Sequence, residues 1–132
     1  MNQKIAHIAV VVPDYEASIQ YYTNVLGFLL LENTDLGEGK RWVLVKPQGA
    51  DDFSLLLAKA SSDEQKSRIG NQTGGRVFLF LYTDDFWRDH QSFTSRGVHF
   101  LESPRIENYG TVAVFVDLFG NKWDLIEPNK KY

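Results

Sequence analysis

Two side chains in this sequence stand where a polar group is costly. His7 lies inside the apolar run Ile5-Ala6-His7-Ile8-Ala9-Val10-Val11-Val12, and Asp124 lies between Trp123 and Leu125. A histidine titrates near neutrality and carries a free lone pair, so it suits proton transfer or metal ligation; a hydrogen-bonded core or cavity histidine is the plainer reading. An unpaired carboxylate is expensive to bury. Asp124 therefore either faces a wet cavity or pairs with His7 or Lys122. The remaining histidines read more simply. His90 falls on a helical stripe with Phe86 and Phe93, as a packed, hydrogen-bonded core residue does, and His99 alternates with Val98 and Phe100, as a solvent-facing one does. Cysteine is absent, which excludes a disulfide scaffold, a thiol nucleophile and thiolate-held metal. No Ser-His-Asp order, phosphate-cradling glycine loop or paired-carboxylate motif stands out.

Aromatic residues offer a second kind of chemistry. Nine Phe, six Tyr and three Trp can line a pocket as well as fill a core. Phe78, Phe80 and Tyr82 share one face of a strand at period two, either as core or as a pocket wall, and Trp42 has the same two readings. As a wall they suit a planar or apolar ligand held by burial and stacking. Trp123 points away from the face of Asp124 and packs beneath a helix. Glu127, three positions past Asp124, also faces the opposite side. The polar loop Ser103–Gly110, with Tyr109 in it, reads either as a rim that selects ligands or as a connector.

The elements that position these residues follow from periodicity. The first run is apolar at both parities, the pattern of a strand buried on both faces. Pro13-Asp14 stops it; Asp14 is an N-cap, Ile19, Tyr22 and Leu26 recur at helical spacing, and Gly27 sits where a C′ glycine belongs. Strands follow at Phe28–Glu32, Arg41–Lys46 and Phe53–Ala58, with a loop at Asp35–Gly39. Residues 59–75 are polar and read as a linker with a short helical turn near Glu64; Asn71–Gly75 suggests no fixed element. The pattern then restarts: a strand at Arg76–Thr83, Asp84-Asp85 capping a helix that ends at Gly97, and strands at Val98–Leu101, Thr111–Val116 and Lys122–Ile126. Asp14 to Gly27 and Asp84 to Gly97 both span 13 residues, and Gly27 to Ser54 and Gly97 to Asp124 both span 27. A constant offset of 70 identifies a duplicated β-α-β-β-β frame.

On these residues the chain resembles the vicinal oxygen chelate superfamily, which includes glyoxalase I, bleomycin-resistance proteins, fosfomycin-resistance enzymes and extradiol dioxygenases. The resemblance covers about Ile5 to Pro128. It rests on His7–Asp14, a strand histidine seven positions before a helix-capping aspartate; on Tyr21-Tyr22-Thr23-Asn24-Val25-Leu26-Gly27-Phe28; and on Val116-Asp117-Leu118-Phe119-Gly120-Asn121-Lys122-Trp123-Asp124-Leu125, where Leu118 replaces the usual proline of the family's turn. It implies an α+β fold of two tandem βαβββ modules, at about 4–58 and 76–128, whose curved sheets surround a shared cavity, and a homodimer. Members that bind a divalent ion take one ligand from the first and last strand of each module. Carried over, the four positions are His7, Ser54, either Val77 or Phe78, and Asp124. The offset of 70 selects Val77; counting back seven from Asp85 selects Phe78. Neither can ligate a metal, and a serine hydroxyl is a poor neutral ligand, so only His7 and Asp124 remain as metal donors.

Length and charge bound the rest. At 132 residues the chain is one domain. Apolar residues at 43% and charged residues at 23% are ordinary for a globular protein and exclude a disordered tail or fibre. A net charge of −3 leaves no basic excess for nucleic acid. No apolar run approaches the ~20 residues of a membrane span, and residues 1–20 lack the phases of a signal peptide, so a cytoplasmic location is expected. The leading expectation is a small-molecule binding protein with an aromatic cavity lined by Trp42, Ser54, Phe78, Phe80, Tyr82 and Tyr109, and with no cofactor. Two alternatives stand beside it: a lyase, isomerase or dioxygenase dependent on Zn, Ni, Mn or Fe, and a metal-free enzyme using His7 and Asp124 as an acid–base pair.

Overall fold

In the computed structural model, which describes residues 1–129, the strands are β1 (His7–Val12), β2 (Leu29–Gly37), β3 (Lys40–Lys46), β4 (Ser54–Lys59), β5 (Val77–Tyr82), β6 (His99–Phe100), β7 (Arg105–Glu107), β8 (Gly110–Val116) and β9 (Lys122–Pro128). The helices are α1 (Tyr15–Gln20), α2 (Asp63–Ser67) and α3 (Phe86–Ser95), with a π-helical turn, Tyr21–Val25, continuing α1. The fold is mixed α+β with one four-stranded and one five-stranded sheet. The chain divides into two compact units, one ending at Ile69 and one beginning at Gly70. None of the helices among the described residues is long and apolar enough to cross a membrane.

The first sheet runs β1-β4-β3-β2. β1 lies parallel to β4 with His7 opposite Ser54, and the other pairings are antiparallel. Helix α1 begins at Asp14, whose carboxylate accepts a 2.7 Å bond from the Ala17 amide. The helical run ends at Gly27, at φ +75°, a left-handed position that glycine takes without strain. Its buried stripe, Tyr15, Ser18, Ile19 and Tyr22, belongs to a core that also includes Val10, Val12, Val43, Val45, Leu55 and Leu57. Only one face of β1 is buried. Val10 and Val12 are inaccessible, whereas His7 and Ala9 are exposed. The two-faced apolar pattern overstated burial: the residues that alternate with Val10 and Val12 keep contact with water. The expected loop at Asp35–Gly39 is also shorter: β2 continues to Gly37, and Glu38-Gly39, both at positive φ, form a two-residue hairpin turn of the kind that matches strand twist.

The second sheet runs β5-β9-β8-β6, with β7 also on β8. β6 and β7 are two halves of one interrupted strand: both pair antiparallel with β8, and the Leu101 amide bonds Val114 O between them. Pro104, which has no N–H to donate, sits at the break. The segment expected as a loop at Ser103–Gly110 is thus part strand, closed by the hairpin turn Asn108-Tyr109, and the module keeps its β-α-β-β-β plan. Helix α3 is capped by Asp85, which accepts from the Arg88 amide at 3.1 Å, while Asp84 pairs with the Arg88 guanidinium at 2.8 Å. The caps are therefore 71 residues apart rather than 70; the offset of 70 holds at the helix-ending glycines, Gly27 and Gly97, both at positive φ. Glu127 reaches the α3 side of the sheet and accepts from the Phe86 amide at 2.7 Å.

The turn before β9 is built on Asp117. Its buried carboxylate accepts from the amides of Phe119, Gly120 and Asn121, from Asn121 Nδ2 and from Trp123 Nε1. Trp123, so fixed, stacks on Phe115 at 5.8 Å, and Phe115 meets Phe93 of α3 edge-on at 5.5 Å. The same turn holds the preceding segment. Gly70, at φ +70°, passes so close that a Cβ there would stand 1.8 Å from Phe119 O, and the Gln72 amide bonds Asn121 Oδ1 at 3.4 Å. A glycine at position 70 is what this close approach demands, and Asn71–Gly75, expected to hold no fixed element, forms turns without a regular helix or strand.

Asp14→Ala removes an observed cap bond and should lower stability by about 0.5–2 kcal/mol. Urea unfolding at neutral pH measures this; an unchanged midpoint would show that the cap contributes nothing.

Candidate functional site

On the first sheet, the parallel register of β1 and β4 sets His7 beside Ser54. His7 Nδ1 and Ser54 Oγ share a 2.6 Å hydrogen bond. Ser54 is buried, His7 is exposed, and the Trp42 ring from β3 meets the imidazole edge-on at 6.0 Å. Three adjacent strands thus bring His7, Ser54 and Trp42 together, on the face turned away from α1. A neutral imidazole held by a hydroxyl can accept or donate one further bond through its other ring nitrogen.

On the second sheet, a bulge between Val77 and Leu79 decides what stands opposite Asp124. Beyond it the register is Phe80 to Asp124 to Val114, and then Tyr82 to Ile126 to Val112 to Arg105. Neither Val77 nor Phe78, the two candidates for the ligand position, lies opposite Asp124; Phe80 does. The three aromatic residues of β5 differ in exposure. Phe80 and Tyr82 are 60% and 49% exposed, large values for aromatic residues, whereas Phe78 at the bulge is half-buried. A depression of about 510 Å³ opens beside Arg76, Val77 and Phe80. Tyr109 sits at the tip of the β7–β8 hairpin, exposed.

Asp124 has one oxygen out of reach of water. Among the described residues its Oδ1 is the single buried side-chain oxygen or nitrogen without a hydrogen-bond partner. Burial raises this carboxyl above the usual carboxylate range, with Arg105 opposing the rise and Glu102 adding to it. Arg105 does not relieve it, because its guanidinium is bonded to Glu102 at 3.0 Å and lies 3.4 Å from Glu107. Glu102 in turn accepts from the Val114 amide at 3.2 Å. The sequence reading missed Glu102 and Arg105; the mixed loop around Ser103–Gly110 was the signal, but only the β7–β8 register turns Arg105 toward the row of Tyr82 and Ile126. His90, expected as a hydrogen-bonded core residue, is half-buried and packs against the rings of Phe86 at 5.5 Å and Phe100 at 4.3 Å.

Each module therefore presents one helix-covered face and one face with polar and aromatic groups. A model of the Glyoxalase/Bleomycin resistance protein/Dioxygenase superfamily matches residues 4–125. The chain belongs to this superfamily. A Shewanella frigidimarina protein, itself uncharacterized, is 55% identical over 132 residues, covering 99% of this chain and 98% of its own. Among solved structures, TnmS3, an antibiotic binding protein from Streptomyces sp. CB03234, is 30% identical with a TM-score of 0.77, covering 97% of this chain and 98% of its own. UcmS2 shares the fold, with a TM-score of 0.83 at 24% identity over 96% of this chain and 99% of its own.

The resident divalent ion of some superfamily members does not fit the donors of this one. The first sheet offers His7 beside a serine hydroxyl already bonded to it, and the second offers Asp124 opposite a phenylalanine. Among the described residues no three His, Asp or Glu side chains gather within reach of one ion. A catalytic divalent site takes about three protein ligands and an open position. Protein purified without chelator should therefore hold well below one equivalent of Zn, Ni, Mn or Fe by elemental analysis, and EDTA should leave its urea midpoint unchanged. Stoichiometric metal that survives dialysis and is lost on His7→Ala would contradict this.

The state of Asp124 predicts a pH dependence. A carboxyl whose folded pKa is raised keeps its proton to higher pH in the native state, so its ionisation costs stability as pH rises through that value. Asp124→Asn should raise the urea midpoint at about pH 7.5, and the gain should shrink as pH falls towards about 4, near the unfolded carboxyl value. A difference independent of pH would show that the carboxyl is not strained by burial.

Proposed function

We propose that the protein binds a planar or apolar small molecule against the uncovered sheet faces, with Phe80 and Tyr82 as the stacking surface on the second module and Trp42, His7 and Ser54 as the corresponding residues on the first. Phe78 and Tyr109 flank the second face in this reading. The observation that carries it is the exposure of Phe80 and Tyr82 side by side on β5. Isolated exposed apolar residues are ordinary, but neighbouring exposed rings mark a surface that something covers. That TnmS3 is an antibiotic binding protein supports the same reading. The metal-dependent alternative would need more donors than His7 and Asp124, and the acid–base alternative would need those two residues to act together, for which no observation speaks.

Magnitudes limit what the rings contribute. Two half-exposed aromatic rings present on the order of 200 Å² of apolar surface, worth about 5 kcal/mol gross at ~25 cal/mol per Å². Association costs ~4–15 kcal/mol before any affinity is seen. Stacking on this face alone therefore yields weak binding, and a useful affinity needs a further anchor.

A panel of planar aromatic compounds screened by thermal shift should contain members that raise the unfolding temperature. Phe80→Ala, at an exposed position that the fold does not need, should weaken those hits about five-fold or more by calorimetry, the loss expected for truncating a ring at a binding surface. A chemically diverse panel without a single hit, or hits indifferent to Phe80→Ala, would overturn the reading.

A further inference from the structure

The depression beside β5 combines an exposed aromatic ring with an exposed cation. It is lined by Arg76, Val77 and Phe80. Val77 and Phe80 are three positions apart, which in an uninterrupted strand sets side chains on opposite faces; the β5 bulge lies between them. Among the described residues the Arg76 guanidinium meets no carboxylate, whereas Arg88 and Arg105 of the same module are each paired with acids. A second cation stands beside it. Lys122 lies opposite Val77 in the β5–β9 register, and its Nζ donates to Gly75 O at 3.1 Å, which leaves two further donors on the ammonium. The backbone that carries Arg76 is held on both sides: Lys122 bonds the carbonyl before it, and the Thr73 hydroxyl bonds Arg76 O. The sequence adds no countercharge here. Residues 65–83 include Lys66, Arg68 and Arg76 and no Asp or Glu, in a chain whose net charge is −3.

We propose that Arg76 and Lys122 form the anion subsite of this depression, and that the ligand is an aromatic carboxylate, its ring on Phe80 and its carboxylate on the two cations. This rests on the reading above that the β5 face binds aromatic molecules, and it names the anchor that two half-exposed rings lack. A guanidinium takes a carboxylate through two parallel N–H···O bonds, which adds direction to charge. Arg76 is exposed, so a ligand reaches it without rearrangement of the fold. Gly74 and Gly75, just before it, carry no side chain, and a Cβ at either would meet nothing within 4 Å. The nearest acid by register is Asp124, opposite Phe80. Burial raises its carboxyl, so it holds its charge less firmly than an exposed acid and opposes an incoming anion less. A neutral aromatic gains nothing from the two cations, and a cationic one is repelled by them.

The test compares 2-naphthoate with 2-naphthamide, which share ring system and shape and differ in charge. Calorimetry on wild type at low salt should give about five-fold tighter binding of 2-naphthoate, the upper end for an ion pair at a partly exposed site. In about 1 M NaCl, where the screening length falls to about 3 Å, the ratio should drop below about two-fold. Arg76→Gln, at an exposed position, should remove most of the ratio while leaving 2-naphthamide within about two-fold, and Arg76→Lys, which keeps the charge, should retain part of it. Phe80→Ala should weaken both compounds alike. Equal binding of the two compounds to wild type, or a ratio unchanged in the Arg76→Gln/Lys122→Gln double variant, overturns the anion subsite while the aromatic face stands. If neither compound binds in the millimolar range, the aromatic reading falls and the subsite with it.

Discussion

Each half of this chain has one substantial helix and one sheet, and a helix covers only one face of a sheet. That constraint governs the rest. In the first half the stripe of α1 takes up Val10, Val12, Val43 and Val45, and in the second Phe93 of α3 meets Phe115 over Trp123. The face turned away from each helix holds groups of another kind: His7 bonded to Ser54 with Trp42 beside them on one sheet, Phe80, Tyr82 and Asp124 on the other. A sheet in the middle of a three-layer α/β fold would have covered these positions on both sides. The faces turned away from the helices keep exposed residues such as His7, Phe80 and Tyr82.

The polar network at Asp117 shows how such a half-covered module keeps its precision. One buried carboxylate takes five donors, three of them backbone amides of its own turn and one the indole of Trp123. The turn therefore fixes the tryptophan, the tryptophan fixes Phe115, and β9 leaves the turn in one register. Asp124 is seven residues further along the chain, and its place opposite Phe80 depends on that register. The two aspartates invite comparison. Asp117 is more buried and takes five donors, so it holds the structure; Asp124 is less buried and one of its oxygens accepts no hydrogen bond.

Superfamily membership does not settle chemistry here, because among the described residues no three potential metal ligands gather at one place. Ser54 stands opposite His7, and beyond the β5 bulge Phe80 stands opposite Asp124. The first sheet has a histidine hydrogen-bonded to a serine, and the second a carboxylate opposite an aromatic ring. Among the described residues neither module gathers the converging charge that would hold an ion.

Much of this was legible in the residues. Asp14 as cap, Gly27 and Gly97 as helix ends, Trp123 and Glu127 on the face opposite Asp124, and the duplicated frame all follow from local rules: cap chemistry, left-handed glycine, and the alternation of strands. Those rules act over a few residues, and the sequence states them directly. Other features were decided by tertiary structure. The sequence cannot say that β1 is covered on one side, since Ala9 and Val11 are apolar whether or not anything packs on them. It cannot place the bulge at Phe78, which depends on how β5 is pulled into register by β9, nor join β6 and β7 into one edge, nor turn Arg105 to the face of Tyr82. Sequence determined which residues could do chemistry and which elements carry them; register and the one-sided helix layer, both set by contacts between residues far apart in the chain, decided which of them face each other and which face outward.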